Sequence, residues 1–244
     1  MTQTIVTFLL DRTGSMQSCK AATIEAFNAY LDTLKRNSEG IEFSFLQFDS
    51  QSLDKICIAE SPGKVAFLTD ATYQPRASTP LIDASYKTIK AVETALEKRD
   101  DAPKIVICIQ TDGYENASTE HTMPELNLLI KKKTAEGWQF VFMGAGIDAY
   151  AQGRHMGVPP ASTVSYDHAS APRTRAAFKA SAENTVGYAR SAMPSPAFSD
   201  RQRKDSGDSF VNRVKGILVK SAHPTKSGEA AKPEKQAIVD DISL

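Results

Sequence analysis

The sequence predicts an α/β fold, a mostly parallel six-stranded sheet with helices on both faces and one antiparallel edge strand. Three observations predict it. Short apolar runs, Ile5 to Leu10 and the Ile-Val-Ile-Cys-Ile stretch within Lys104–Gln110, suit strands buried on both faces. Stretches with apolar residues at helical spacing alternate with such runs along the chain. Ile41 to Phe48 alternates apolar and polar, and Leu53 to Ala59 follows it too closely for a parallel crossover, so those two pair as a hairpin.

The first strand, Ile5 to Leu10, ends abruptly in Asp11, Thr13 and Ser15. Ile24, Phe27, Leu31 and Leu34 then mark one helix face, with Lys20, Glu25 and Lys35 on others. Asn37 to Gly40 turns the chain into the hairpin. Ser61 and Pro62 open a short helix within Ser61–Asp70, and Tyr73 to Ser78 is loop. Thr79-Pro80 reads as a helix start, a hydroxyl at the N-cap and proline at the first helical position. Leu81, Ala84, Thr88, Val92 and Ala95 carry that helix to about Arg99. The strand Lys104–Gln110 ends in Thr111-Asp112-Gly113. Thr122 and Glu125 form a capping-box pattern, leading a helix through Leu126, Leu129 and Ile130 to the basic end Lys131–Lys133, which suits the helix dipole. Trp138 to Met143 is the next strand and Gly144-Ala145-Gly146 its exit. A short helix near Asp148–His155, a strand near Thr163–Tyr166 and a helix over Ala171–Ala192 complete the pattern.

Residues 1–193 are therefore expected to form one domain. Residues 194–244, rich in Ser, Pro, Lys, Asp and Gly, are expected to be a flexible polar tail, with one short helix near 210–219 that docks on the domain or on a partner. Formal net charge is +0, so nothing global points to nucleic acid or an anionic membrane. The apolar run at the N-terminus is too short for a signal peptide or a membrane span. Three cysteines, Cys19, Cys57 and Cys108, cannot all pair, and the last two lie in strand-like runs where a reduced thiol behaves as a small hydrophobe. A cytoplasmic protein is the expectation. The basic stretch Arg173, Arg175, Lys179, Arg190, Arg201, Arg203 and Lys204 reads as a solvated face, and the dispersed His121, His155 and His168 as solvated histidines. Gly144-Ala145-Gly146 is too short for a dinucleotide fingerprint, and Asp148 suits a helix start.

Three strand exits carry oxygen-bearing side chains: Asp11, Thr13 and Ser15 on the first, Ser78 and Thr79 on the second loop, Asp112 on the third. In open α/β sheets ligands bind outside the carboxyl ends of the strands. Hard divalent cations take oxygen ligands, and magnesium keeps several waters. Neutral hydroxyls in direct contact, with carboxylates holding coordinated waters, leave positive charge on the ion and a reason to recruit a carboxylate from outside. Such a device binds; it needs no catalytic base. Each residue alone has an ordinary role as cap or turn. The combination at three strand exits is what singles them out.

Asp11-Arg12-Thr13-Gly14-Ser15-Met16 resembles the Asp-x-Ser-x-Ser motif of von Willebrand factor A domains, with threonine where serine is usual. Thr79, in Ala-Ser-Thr-Pro-Leu, resembles that family's isolated metal-binding threonine, and Asp112, in Ile-Gln-Thr-Asp-Gly, its final aspartate. The resemblance covers Thr4 to Tyr150 well and Ala151 to Ala192 loosely. It implies a Rossmann-like, doubly wound sheet and a metal-ion-dependent adhesion site. There Thr13, Ser15 and Thr79 would bind magnesium (manganese or calcium in its place), Asp11 and Asp112 would act directly or through water, and an Asp or Glu of a partner protein would complete the shell. Compact members of this intracellular type occur in bacteria and phages, some as adaptors for ring ATPases or other assemblies.

Three functions are compatible with these residues. The first is a non-enzymatic protein-binding module centred on the cation. The second is a metal-dependent hydrolase, such as a phosphoesterase, using Asp11 as nucleophile; position 13 lacks the second aspartate such phosphatases carry. The third places binding in the tail, with the metal only structural.

Overall fold

The computed structural model describes residues 3–210. Six strands, β1 (Thr4–Asp11), β2 (Ile41–Asp49), β3 (Ser52–Glu60), β4 (Lys104–Thr111), β5 (Gln139–Ala145) and β6 (Thr163–Tyr166), form one sheet in the order β3-β2-β1-β4-β5-β6. All neighbours pair in parallel except β2 and β3, the expected hairpin at the edge. Two register shifts and a left-handed Ala59 (φ 50°) interrupt that edge strand, which blunts it as a template for further pairing.

The alternation of the strands divides the core. Val6, Phe8 and Leu10 face α1 (Lys20–Arg36) and α5 (Ala171–Ala189), while Ile5 and Leu9 face α2 (Leu81–Leu96), α3 (Met123–Ala135) and α4 (Ala149–Met156). Phe8 is the aromatic centre of the first layer: its ring meets Phe27 and Tyr30 edge-on at 5.4 and 4.8 Å and stacks on Phe178 at 5.9 Å, geometries the ring quadrupoles favour. Thr122 and Glu125 cap α3 reciprocally, as the sequence predicts, and Asp148 caps α4 by accepting from the Ala151 amide. Thr122→Ala is expected to lower stability by about 1 kcal/mol in a urea titration.

Several details differ from expectation. The segment Ser61–Asp70 holds only one 3-10 turn, Pro62–Lys64. Cys108 is buried as expected, but Cys57, on the edge strand, is half-buried. His168 is half-buried, lying over Gly146 so closely that any Cβ there would collide with its ring. His121 stacks on Tyr86 at 3.7 Å. The packed chain also continues beyond Met193. Phe198 is buried, and α6 (Asp200–Asp205) carries Arg203, which is 1% exposed. Arg203 is thus no part of a solvated basic face. It donates to the carbonyls of Pro160 (3.1 Å), Ala161 (2.8 Å) and Thr163 and to the Tyr150 hydroxyl, which in turn meets buried Asp208. The expected helix near 210–219 lies outside the described residues.

Candidate functional site

Strand order dictates where a site can form. From β1 the chain winds outward through β2 and β3, then returns to place β4 on the other side of β1. The crevice at the carboxyl ends of β1 and β4 is therefore the point where the winding reverses, the place open α/β sheets bind ligands. Asp11 ends β1 and Asp112 follows β4.

All five sequence-predicted residues meet there. Thr79 Oγ1 donates to Thr13 Oγ1 at 3.2 Å, Thr13 Oγ1 lies 3.2 Å from Ser15 Oγ, and Ser15 Oγ donates to Asp112 Oδ1 at 2.6 Å. Asp11 sits behind this row. Its Oδ1 accepts from the Thr13 amide at 2.7 Å and its Oδ2 from Thr111 Oγ1 at 2.5 Å. Burial is graded across the cluster: Asp11, Thr13 and Thr79 are buried, Asp112 is half-buried and Ser15 is exposed. The site thus opens to solvent along the Ser15–Asp112 side. Gly113 closes in on the same point, and a Cβ there would come within 3.3 Å of Thr79 Oγ1.

Electrostatics follow from that burial. Desolvation raises the Asp11 carboxyl to about 7 against the lowering effect of its bonds to Thr111 and Thr13, with the charge of Asp112 adding to the rise. Burial raises Asp112 too, opposed by Ser15, by a backbone bond and by the nearby His168. The adjacent cation does not relieve Asp11: Arg12 turns away to Asp49 (2.6 Å) and Asp54 (2.8 Å), and Arg76 reaches Asp49 at 3.0 Å. Despite its burial, Asp49 is held below the usual carboxylate range by bonds from Arg76, the Gln51 amide and Arg12.

Thr79 does not cap α2. Pro80 occupies the N-cap position and no side chain caps there. The reason is the 113–121 loop, which embraces the head of α2 instead. Asn116 accepts from the Thr79 amide (2.8 Å), Glu115 from the Ile82 amide (2.8 Å), and Asp83 accepts from the amides of Thr119 (2.8 Å) and His121 (2.8 Å). The Thr79 hydroxyl is thereby left for the cluster. Ser78 is not part of it; its amide donates to Ser50 Oγ at 3.1 Å. On the other flank, the 73–79 loop is stitched to the first motif: the Arg76 and Gly14 amides donate to the carbonyls of Arg12 (2.9 Å) and Ala77 (3.0 Å), and the Tyr73 hydroxyl donates to the Asp11 carbonyl (2.6 Å). Tyr73, Arg12, Asn116 and Glu115 had no local sequence signal. Their roles rest on contacts between segments far apart in the chain.

Among the described residues, no group of three or more His, Cys, Asp or Glu side chains is gathered closely enough to hold a metal ion. The donors assembled here are three hydroxyls and two carboxylates, hard oxygen groups of the kind magnesium and manganese take.

The architecture has solved counterparts. A von Willebrand factor type A protein from Catenulispora acidiphila superposes with TM-score 0.57 at 14% identity, over 76% of this chain and 43% of that one. The SpRpn10 VWA domain superposes at 0.50 and 13% identity, over 68% and 89%. The fold is that of a von Willebrand factor A domain. Manganese-loaded Plasmodium vivax TRAP protein matches this VWA fold at 0.51 and 16% identity, over 72% of this chain and 73% of that one. The VWA-like chain spans less than half the length of several proteins it matches. No family model and no curated protein matches its sequence.

Proposed function

We propose that this VWA-fold domain is a non-enzymatic protein-binding module. It takes up a divalent cation, magnesium first and manganese or calcium in its place, among Asp11, Thr13, Ser15, Thr79 and Asp112. Through that ion it holds an aspartate or glutamate of a partner protein. One observation carries the reading: the continuous row Thr79–Thr13–Ser15–Asp112, which gathers oxygen donors from three separate loops on the solvent-open side of a buried carboxylate. A bound ion would supply a Lewis-acidic position for the incoming acid. The chain's own part is to hold the hydroxyls together through Asn116 and Tyr73, and to keep Arg12 out of the cluster through Asp49. That P. vivax TRAP is manganese-loaded supports the same use of the fold.

Hydrolysis draws no support from the geometry. A nucleophile must be reachable, whereas Asp11 is 0% exposed with both oxygens engaged. Among the described residues no helix is long and apolar enough to cross a membrane, and the three cysteines are free thiols. The free thiols suit the reading of a cytoplasmic module, and a larger assembly such as a ring ATPase is one candidate for its partner.

The test is a pull-down read by mass spectrometry, with and without EDTA. Wild type is expected to retain an acidic partner only with metal, and Asp11→Ala combined with Asp112→Ala to retain none. A prey indifferent to both changes discards the metal-centred mechanism. Repeating the capture with the chain cut after Phe210 separates this reading from binding through the tail.

A further inference from the structure

On the other side of the sheet from α1 and α5, a half-open cavity of about 330 Å³ lies between α2 and strands β1 to β3. The sequence of α2 creates it. Its first half buries Leu81 to Ser85, Thr88 and Ile89, but the second half presents Ala91 and Ala95, both exposed and too short to reach the sheet. Beneath them the sheet also turns small: Thr7 and Ser44, paired on neighbouring strands, take places that Leu9 and Leu46 fill one step along. Ile5, Leu46, Ile58 and Val92 wall the space with apolar surface, and Ile58 is 50% exposed at its mouth.

The floor is what points to a ligand. Thr7 is 1% exposed, yet its Oγ1 has no hydrogen-bond partner. Ser44 Oγ beside it accepts from the Ala59 amide at 2.9 Å and keeps its own proton to donate. A buried hydroxyl without a partner costs free energy, and native cores rarely retain one without a reason. Volume near the lower end for small-molecule sites, mostly apolar walls and a few polar groups, Thr7 and Ser44 on the floor with Lys55 and Arg99 also in the lining, are the features of such a site. The cavity is separate from the Asp11 cluster, since Thr7 lies four residues back along β1, roughly 13 Å at strand rise.

We propose that this cavity binds a compact, mostly apolar ring molecule bearing one hydrogen-bonding oxygen, with the oxygen on Thr7 and the ring between Leu46 and Val92. Naphthol and naphthalene, titrated into the full-length protein and followed by NMR shifts, test it. Wild type is expected to bind naphthol saturably and about five- to tenfold more tightly than naphthalene, the worth of one hydrogen bond. Thr7→Val, which removes a hydroxyl that bonds to nothing and so leaves the fold intact, is expected to equalise the two while keeping naphthalene affinity. Ala95→Leu, on an exposed helix position, is expected to weaken both at least tenfold by filling the space. Circular dichroism melts verify that both variants are folded. The proposal is overturned if wild type binds neither probe, if it binds both equally, if Thr7→Val keeps the preference, or if Ala95→Leu binds as wild type does.

Discussion

Asp11→Asn is expected to abolish the proposed magnesium uptake and at the same time to raise the stability of the metal-free protein. The substitution fits the site. The amide oxygen still accepts from the Thr13 N–H, and the amide nitrogen donates to Thr111 Oγ1, whose own proton turns to the Gly113 carbonyl 3.2 Å away. What disappears is the charge. Burial raises the folded-state carboxyl of Asp11 from 3.8 to about 7, so the folded protein holds that proton more tightly than the unfolded chain does. The contribution of Asp11 to stability is therefore fully present below about pH 4 and is lost as pH rises through about 7, a change of roughly 2–4 kcal/mol from this one group. Wild type without metal is expected to show that decline in thermal melts between pH 4 and 8, and added magnesium to restore the loss at pH 8. Asp11→Asn is expected to show a flatter profile and no magnesium shift. An equal magnesium shift in both proteins contradicts the role given to Asp11.

Arg203→Ala is expected to destabilise by about 3–5 kcal/mol, the cost of stranding a buried charge. Its guanidinium is held by three carbonyls and the Tyr150 hydroxyl, and it lies 3.9 Å from Asp208, whose carboxyl burial already raises. Removing the arginine leaves Asp208 without a counter-charge and Pro160, Ala161 and Thr163 without their donor. Adding Asp208→Asn recovers part of the loss by removing the orphaned charge, and a urea titration of the three proteins measures it. The same contacts predict that a chain cut after Met193 fails to fold stably. A cut at Met193 that melts like wild type refutes the structural role assigned to α6.

These two regions differ in how far the sequence announces them. Asp11, Thr13, Ser15 and Asp112 are legible because they sit where a strong apolar run stops, and Thr79 because it opens a helical pattern; the alternation of strands and helices sends all of them to one edge of the sheet. Periodicity also separates the faces correctly, since Phe8 and Leu9 must go to opposite layers. Arg203 lies in a polar stretch with no apolar period, so composition reads it as solvated; only three-dimensional packing buries it. Thr79 is misread as a cap because Thr-Pro before a helical pattern is the ordinary cap signature. The competing partners of the α2 head, Glu115 and Asn116, come from a loop more than thirty residues on, and local pattern holds no trace of them.

The strap formed by residues 113–121 has a mechanical consequence. It fastens the Asp112 loop to the leading turn of a rod about 24 Å long at helical rise. A tilt of about 5° at that turn carries the far end, Leu96, through roughly 2 Å. Ala91 and Ala95 overhang the cavity, but Val92 and Leu96 pack against the core and Glu93 pairs with Lys133 at 2.5 Å, so such a swing is resisted. The 113–121 strap at its head and the Glu93–Lys133 pair near its tail hold both ends of α2, so the loop that carries Asp112 is braced against a fixed rod.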